Sequence, residues 1–520
     1  MRQHIYFLYM ITKITNNKAL LFVATIALAF ITVIPGCKKS KSDLGKEMAD
    51  ATGNKTFKDM TNEGFAEAFK KAMTDNKSLL TYPDVIKSYY AENDYEPVLV
   101  LNHLKNEDLQ TLSTYLDNST QHGINPQIFR ADSIKALLAR IKDKKAVKDV
   151  NTAYTTLAKL ELLTANSLIR YSNALQYGLI SPRKIYQRYY TETKRPDSTS
   201  MKSVFAVKEL KSYLDSIQPK SAQYKALQKA LTDKVQAPGM TPEESERYFA
   251  VNLERLRWKN KPDAKKYVIV NIPDYRLDVM ENGKSALNMK VCVGEGRNMD
   301  KEVSLVEYDE SDKIDRPFSR ETPQLGSLIH SVQVNPVWNI PKSIASKEIM
   351  VQAANDPYYL DNENIDVYHN GQKVDDPETI DWGSASKNEY EFKQRPGDGN
   401  ALGKIKFLFK NGSSVYLHDT PAKNAFNQNM RAVSHGCVRV EQPQQLAEAL
   451  FGNGDKYKMI VDKMNNPSST PTDIALPNKV PVYLTYVTCW VDDSGKIQFR
   501  PDVYGLDVVL YGHMKKLLSV

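Results

Sequence analysis

Apolar residues recur at helical spacing through the first half of the chain. Residues 151–182 read NTAYTTLAKLELLTANSLIRYSNALQYGLISP. The apolar positions that fall near one face of this predicted helix are Ala153, Leu157, Leu160, Leu163 and Leu168. Gly178 and Pro182 then end the helix. This pattern predicts an α-helical N-terminal domain over residues 56–235, in which no polar cluster has a catalytic arrangement.

From about Tyr267 the apolar positions follow the period of β-strands. The segment YVIVNI is typical of a buried strand, and LDVMENGKSALNMKVCVG predicts two strands around an Asn-Gly turn, with Cys292 and Val293 on opposite faces. A second hairpin, IKFLFKNGSSVYLH, also turns at Asn-Gly and ends at His418. We therefore predict an α+β multidomain protein whose second domain, residues 236–465, is β-rich and β-sandwich-like.

Two further segments interrupt or follow this second domain. Residues 342–399, rich in Asp, Asn, Gly and Pro, are long for a plain connection, and we expect an inserted lid there. Residues 443–452, PQQLAEALFG, predict a short helix with a proline near its start and a glycine past its end. Residues 466–520 are expected to form a C-terminal extension that packs on the second domain.

The N-terminus has the pattern of an export signal. Lys13 and Lys18 precede the uncharged run ALLFVATIALAFITVI, which is short for a membrane-spanning helix and suits the core of a signal peptide in residues 1–36. The next residues, IPGC, resemble a bacterial lipobox, in which the cysteine, here Cys37, becomes the lipidated first residue. Residues 37–55 are polar and are predicted to be a flexible tether.

Other interpretations of this N-terminus remain open. Pro35 is unusual in a lipobox, which leaves ordinary signal cleavage or an uncleaved anchor, and translation could also start at Met10. All of these alternatives export the chain. We expect a bacterial envelope protein on the periplasmic side, anchored to the membrane as a lipoprotein, with the choice of membrane left open.

Composition places the chain among globular proteins and argues against nucleic acid as a partner. The 520 residues are 41% hydrophobic and 25% charged, which predicts two or three folded units. The formal net charge is +8, of which the three basic residues of positions 1–36 supply three. The remaining excess is too diffuse to indicate nucleic-acid binding. Four cysteines in so large an exported chain do not form a disulfide framework, and whether Cys292 pairs with Cys489 stays open.

The segment AVSHGCVRVEQ, residues 432–442, contains the candidate chemistry. An imidazole near a thiol can accept its proton and create the reactive thiolate, so Cys437 is a candidate nucleophile. Both His418 and His435 are candidate bases. We favour His418, because a histidine on a neighbouring strand can face the sulfur directly, whereas His435 has to fold back across Gly436.

Neighbouring residues suit the same chemistry. Gly436 lets the backbone bend sharply, so that the amides of Gly436 and Cys437 could converge on a developing oxyanion. The guanidinium of Arg439 could hold a substrate carboxylate. Asp419 could orient the imidazole of His418 through its backbone carbonyl or its side chain, although an aspartate that forms a turn is an equal alternative.

A zinc site is the competing interpretation of the cysteine and the two histidines. His418, His435 and Cys437 are suitable ligand types, but the chain lacks a Cys-x-x-Cys or His-x-x-x-His pair to support them. We therefore predict neither a metal nor another cofactor.

The segment HDTPAKNAFNQNMRAVSHGCVRV resembles the His, then Ser-His-Gly-Cys-x-Arg signature of YkuD-type L,D-transpeptidases. NLERLRW, VIVNIPDYRL, VNPVWNIP, PGDGNALGKIKFLF and VPVYLTYVTCWVDDSGKIQFRPDVYGLD are similar to the large YcbB-like subfamily, and YYAENDYEPVLV resembles its scaffold domain. Together these segments cover most of residues 80–510. The resemblance implies a β-rich catalytic domain with the cysteine on a loop and the base on an adjacent strand.

The resemblance also implies a reaction and a role for each residue. The nucleophile attacks an amide of a peptidoglycan tetrapeptide stem, D-Ala leaves, and the side-chain amine of a diamino acid in a neighbouring stem takes the acyl group, which gives a 3-3 crosslink. By resemblance, Cys437 is the nucleophile, His418 the base and His435 a second, site-shaping histidine. Ser434 and Gly436 would form the loop, and Arg439 would position substrate. Acylation of Cys437 by carbapenems is likewise implied.

One departure from the subfamily concerns glycan binding. Many members carry a peptidoglycan-binding module between scaffold and catalytic parts, and here only LDSIQPKSAQYKALQKALTDKVQAPGMTPE occupies that place. The partners expected are stem peptides and the membrane. Two alternatives stay open: an L,D-carboxypeptidase with the same nucleophile, and a noncatalytic wall-binding scaffold lipoprotein. The sequence also leaves the identity of the acceptor and the oligomeric state open.

Overall fold

The computed structural model describes residues 43–260, 262–296 and 320–518. The predicted signal segment 1–36 and the proposed lipidation site Cys37 lie outside these residues. Within the described ranges, no helix combines the length and the apolar character needed to cross a membrane.

Helices build the first half of the described chain, as the apolar period predicted. They are α1 (Leu44–Thr52), α2 (Asn62–Asp75), α3 (Pro83–Glu92), α4 (Val98–His103), α5 (Asp108–Asp117), α6 (Ala131–Lys142), α7 (Val150–Tyr177), α8 (Pro182–Ile185), α9 (Ser198–Lys202), α10 (Leu210–Ser216), α11 (Ala222–Thr232) and α12 (Pro242–Arg257). The long α7 is central and packs against α2, α4 and α6. Its N-cap is Asp149, which accepts from the Thr152 N–H at 2.9 Å, and Gly178 ends it. The prediction of a helical N-terminal domain is confirmed.

The predicted tether over residues 37–55 is wrong for its second part. Leu44 and Met48, one helical turn apart on α1, are buried in the core of the helical domain. Asp43 caps α1 by accepting from the Lys46 N–H, and Gly53 ends it with a φ of 65°. The segment looked polar because only one narrow face of this short helix is apolar.

The second half of the described chain is rich in strands. They are β1 (Lys266–Asn271), β2 (Arg276–Glu281), β3 (Lys284–Gly294), β4 (Leu325–Val334), β5 (Trp338–Asn339), β6 (Ile365–His369), β7 (Gln372–Lys373), β8 (Tyr390–Gln394), β9 (Ile405–Phe409), β10 (Leu417–His418), β11 (Ala432–Ser434), β12 (Val438–Val440), β13 (Thr472–Thr485), β14 (Cys489–Val491) and β15 (Ile497–Phe499). The helices among them are α13 (Lys342–Ile344), α14 (Met350–Asn355), α15 (Tyr359–Asn362), α16 (Pro443–Phe451), α17 (Asp455–Asn465) and α18 (Leu506–Lys516). The α+β prediction is confirmed.

The main sheet closes on itself rather than stacking as two separate layers. Its strand order is β11-β3-β12-β10-β9-β4-β13-β1-β2, and β2 also pairs with β3. The core therefore lies on one face of a continuous sheet, where side chains from the strands pack with those of α16 and α17. Closure removes the exposed edges that an open sheet would leave at β2 and β3.

Both predicted hairpins are present. β2 and β3 meet at Asn282 and Gly283, whose φ angles of 49° and 81° suit the type I′ turn that Asn-Gly favours. β9 and β10 pair antiparallel, and the buried residues of β9 alternate along the strand. The predicted helix after the cysteine is α16, which starts at Pro443 and ends before Gly452.

The C-terminal segment, residues 466–520, contributes a strand to the main sheet in addition to the packing on the second domain that the sequence predicts. β13 inserts between β4 and β1 of the main sheet, antiparallel to β4 and parallel to β1. Its residues therefore belong to the sheet itself. Sequence could not show this, because a strand reveals its own pattern but not the position of its partners.

Residues between β4 and β9 form a small folded unit instead of an irregular loop. β5, β8, β6 and β7 make a four-stranded sheet in that order, and a π-helical turn, Ala345–Ile349, joins α13 to α14. The unit has its own hydrophobic core, which is formed by Ile340, Ile344, Ala345, Ile349, Met350, Ala353, Leu360, Ile365, Val367, Trp382 and Phe392. We call this unit the insertion.

The helix α12 joins the helical and strand-rich parts. Its N-terminus carries a capping box between Thr241 and Glu244. Farther along, Arg255 forms an ion pair of 2.5 Å with Asp507 of α18, and both side chains are buried. The same face of α12 packs on the hairpin of β14 and β15.

Candidate active site

The candidate site lies on the face of the sheet that is turned away from the core. Phe407, Leu417 and Val438 pair across β9, β10 and β12 and are buried in the core. Because side chains alternate along a strand, the next residue on each strand points to the other face. On that face the register aligns one residue from each of six strands, in the order Asp473, Gln333, Lys406, His418, Arg439 and Cys292. We call this set the transverse row.

Cys437 stands one residue before β12 and lies beside Tyr416, which stands one residue before β10. The Val438 N–H donates to the Tyr416 carbonyl oxygen at 3.1 Å, which fixes the two segments together. Burial raises the pKa of the Cys437 thiol to about 11. Hydrogen bonds from the Tyr416 backbone and hydroxyl, and the charges of Lys406 and Arg439, lower the pKa of this thiol only in part.

His418 is buried and its tautomer is set by its neighbour. Its Nδ1 lies 2.5 Å from the backbone carbonyl oxygen of Asp419, so Nδ1 carries the hydrogen and donates it. Nε2 is then the nitrogen that can accept a proton. Burial lowers the pKa of His418 to about 4, and the Arg439 charge lowers it further against the opposing effect of the Asp419 carbonyl.

Asp419 orients His418 through its backbone and not through its carboxylate. Its Oδ2 accepts from the Lys404 N–H at 2.9 Å, and its Oδ1 accepts from Thr420 N–H at 2.7 Å and from Lys423 Nζ at 2.5 Å. The carboxylate therefore holds the loop after β10, and that loop in turn places the carbonyl oxygen that faces the imidazole.

The loop before Cys437 is held by its own side chains and by two distant residues. Ser434 Oγ donates to the Cys437 carbonyl oxygen at 2.6 Å and accepts from the Gly436 N–H at 3.2 Å. Thr322 Oγ1 donates to the Gly436 carbonyl oxygen at 2.8 Å, and the Thr322 N–H donates to Tyr504 Oη at 3.2 Å. Gly436 has a φ of 114°, a conformation that a side chain would strain.

These contacts change one sequence-based expectation. The Gly436 amide is already engaged by Ser434, so it does not point freely toward an incoming oxyanion in this conformation. Ser434 acts on the shape of the loop, since its hydroxyl bridges the two ends of the turn that carries the cysteine.

His435 faces the insertion. Its Nε2 lies 2.9 Å and 3.1 Å from the two carboxylate oxygens of Glu348, which belongs to the π-helical turn. Arg320 pairs with the same carboxylate and, at 2.8 Å, with Glu295 at the end of β3. The insertion is therefore tied to the cysteine loop through an ionic cluster, and the Nε2 of His435 is occupied there.

Sequence reasoning missed Tyr416, Lys406 and Glu348. A signal for Tyr416 existed, since it lies two residues before His418 and so shares its face; the two rings are 5.7 Å apart. Lys406 is the polar position in the apolar strand IKFLF, a break in composition that could have marked it. Glu348 carried no local signal, because its partner is distant in sequence.

The structure also bears on the possible disulfide between Cys292 and Cys489 and on the alternative of a metal site. Cys292 and Cys489 are both buried and both free, so they do not pair. Across the described ranges, no cluster of three His, Cys, Asp or Glu side chains is arranged to hold a metal ion.

Two family models and a curated protein each match a part of the chain. Residues 265–458 match the L,D-transpeptidase catalytic domain called YkuD, and residues 84–231 match the family described as Scaffold domain. Over 263 residues the chain is 35% identical to a Haemophilus influenzae protein named "Putative L,D-transpeptidase". That match covers 50% of this chain and 48% of the other, so the chain spans about half the length of the curated relative that it matches.

Proposed function

Because the chain carries a YkuD-type L,D-transpeptidase catalytic domain behind a scaffold domain, the YcbB-like architecture, we propose that it crosslinks peptidoglycan through an acyl-enzyme on Cys437. The observation that carries this proposal is the alignment of Cys437, Tyr416 and His418 on the face of the sheet that is turned away from the core. A thiol and a histidine on adjacent backbone segments and on the same face of the sheet, with Nδ1 of the histidine held by a carbonyl oxygen, suit thiol activation.

The first half of the reaction forms a thioester. The Cys437 sulfur attacks the carbonyl carbon of the amide between an L-residue and the terminal D-Ala of a tetrapeptide stem, while its proton passes to Nε2 of His418. The tetrahedral intermediate collapses, the C–N bond breaks, and the imidazolium returns the proton to the D-Ala amine. Arg439 would hold a carboxylate of the stem during these steps.

The second half transfers the acyl group to an amine. The side-chain amine of a diamino acid in a neighbouring stem attacks the thioester carbon, the C–S bond breaks, and the sulfur recovers a proton through His418. The product is a 3-3 crosslink. If water takes the place of the amine, the same acyl-enzyme gives an L,D-carboxypeptidase, which is the second candidate activity.

The insertion would serve as the lid of this site. Its Glu348 contacts His435, which lies two residues before the proposed nucleophile. A movement of the insertion would therefore shift His435 and the cysteine loop. We further propose that the chain acts in the periplasm from an anchor at Cys37, where stem peptides are within reach.

Intact mass of the purified protein tests the proposed activity. After incubation with a tetrapeptide-stem muropeptide, and separately with a carbapenem, we expect an adduct on the wild type and none on Cys437→Ala. Released D-Ala with a crosslinked dimer would support transpeptidation, and D-Ala without dimer would support the carboxypeptidase.

A matched control keeps this test interpretable. Cys292→Ala removes another thiol from the same face of the sheet and should leave the adduct intact. A folded wild type that gives neither adduct nor product would contradict the proposal and favour a noncatalytic wall-binding scaffold.

A further inference from the structure

Two cations flank His418 in the transverse row. Lys406 pairs with His418 from β9, and Arg439 pairs with it from β12. The Lys406 ammonium lies 5.5 Å from the centre of the Tyr416 ring, and that ring stands next to the nucleophile. Positive charges therefore lie on both sides of His418, and both act on the Cys437 sulfur.

Neither cation is neutralised by a carboxylate within the described ranges. Lys406 Nζ donates one long hydrogen bond, of 3.4 Å, to the Val337 carbonyl oxygen, and no ion pair of Lys406 or Arg439 is found there. The acid of the row, Asp473, lies two strands from Lys406 and accepts instead from Gln333 Nε2 at 3.0 Å.

An unpaired cation in a partly buried position is costly unless something compensates for it. Lys406 is half-buried, and burial lowers its pKa, while the charge of Asp473 opposes this effect only in part. Buried charges are normally paired, and clefts lined by one sign of charge concentrate ligands of the opposite sign. The row is thus arranged to receive an anion beside the nucleophile.

We propose that Lys406 is a second substrate-positioning residue, whose ammonium binds a carboxylate of the stem peptide on the side of His418 opposite Arg439. This inference rests on the proposed function for the identity of the substrate. A stem peptide carries several carboxylates, and two cations on either side of the base could fix its direction across the cysteine. Lysine suits such a role as a point charge on a flexible stem, whereas Arg439 offers a planar fork.

A first experiment tests whether Lys406 attracts an anion to the site, and it does not depend on the proposed activity. The rates at which iodoacetate (anionic) and iodoacetamide (neutral) alkylate Cys437 are compared by peptide mass spectrometry of the full chain. Lys406→Gln should lower the iodoacetate-to-iodoacetamide ratio about three- to tenfold, because a charge a few ångströms away has been removed. Lys406→Arg should retain the ratio. Lys410→Gln, an exposed lysine at the end of the same strand, is the matched control and should leave the ratio unchanged.

A second experiment tests whether the anion bound by Lys406 is a carboxylate of the substrate. With the tetrapeptide stem, Lys406→Gln should raise KM about tenfold with a smaller change in kcat, and Lys406→Arg should restore KM. Stems with one carboxylate amidated at a time identify the group bound, since the wild type and Lys406→Gln should become equal for the amidated stem that has lost it.

The two experiments separate failure of this inference from failure of the proposed function. If the alkylation ratio and KM are the same in Lys406→Gln as in wild type, Lys406 does not bind the anion and the inference is wrong, while turnover still supports the activity. If the ratio falls but the wild type turns over no stem peptide, the anion site stands and its ligand is not a stem carboxylate, which overturns the assignment of substrate.

Discussion

The Cys437 thiol and the His418 imidazole are both neutral in the resting site. Burial raises the pKa of the thiol to about 11 and lowers the pKa of the imidazole to about 4, so proton transfer between them is unfavourable before substrate arrives. In the proposed reaction the thiol therefore gives up its proton as the sulfur attacks, and not beforehand.

The pH dependence of alkylation tests this resting state. The reactive thiolate is the form favoured above the thiol pKa, so its fraction should grow with pH throughout the range below 11. Alkylation of Cys437 by iodoacetamide in the free protein should rise about tenfold per pH unit from pH 6 to 9. Cys437→Ala corrects for reaction at the buried cysteines. A plateau beginning below pH 7 would instead indicate a preformed thiolate–imidazolium pair and would contradict the neutral state.

Among single residues, the sequence singled out the proposed nucleophile and base but not the side chains around them. Cys437 and His418 stand in a signature whose residue types reveal their chemistry. Lys406 lies beside His418 only because β9 and β10 pair in one particular register, and Glu348 reaches His435 from a unit that is distant in sequence. Such contacts depend on pairing and on backbone geometry, which local residue types do not specify.

Among the elements, the insertion contacts the cysteine loop from outside the main sheet. It folds around its own core and touches the loop through Glu348, so its position and the orientation of His435 are coupled. Composition correctly placed a break between the hairpins. It did not predict a folded unit, because turn-forming residues obscured the short strands β6 and β8.

Replacing Glu348 tests this coupling. Glu348→Gln keeps the size of the side chain but removes the charge that pairs with His435 and Arg320. We expect kcat/KM for the stem peptide, and the rate of carbapenem acylation, to fall about three- to tenfold, as loss of a charged hydrogen bond would suggest. Glu348→Asp should recover part of the loss.

The control for this prediction lies in the same unit. Glu391→Gln removes an exposed charge from β8 and should leave both rates unchanged. Equal rates for Glu348→Gln and wild type would show that the ionic cluster does not affect the chemistry.

Over the whole molecule, α12 and the C-terminal segment join the two halves. Arg255 of α12 and Asp507 of α18 form a buried ion pair, and Thr488 Oγ1 donates to Asp507 Oδ2 at 2.7 Å. The helix α12 is thus held to the C-terminal segment through polar contacts as well as apolar ones. The sequence predicted both halves but gave no sign of this connection, since its members are far apart along the chain.

Loss of the buried Asp507 carboxylate should lower the stability of the protein. Asp507→Ala leaves the Arg255 guanidinium buried without its partner, so the free energy of unfolding should fall by about 3–5 kcal/mol. Denaturant unfolding followed by circular dichroism measures the change. Asp493→Ala, at an exposed position nearby, should change it by less than about 0.5 kcal/mol. Equal losses for the two variants would mean that the pair contributes little.

The position of β13 means that the main sheet can be completed only late in the synthesis of the described chain. The strand that joins β4 to β1 is synthesised after the nucleophile, and the region that matches the catalytic family ends before it. A fragment cut at that boundary would expose two unpaired strand edges and would be prone to aggregate. The thiol of Cys437 is likewise made before the sheet can close, so the site proposed here is completed only after β13 has taken its place between β4 and β1.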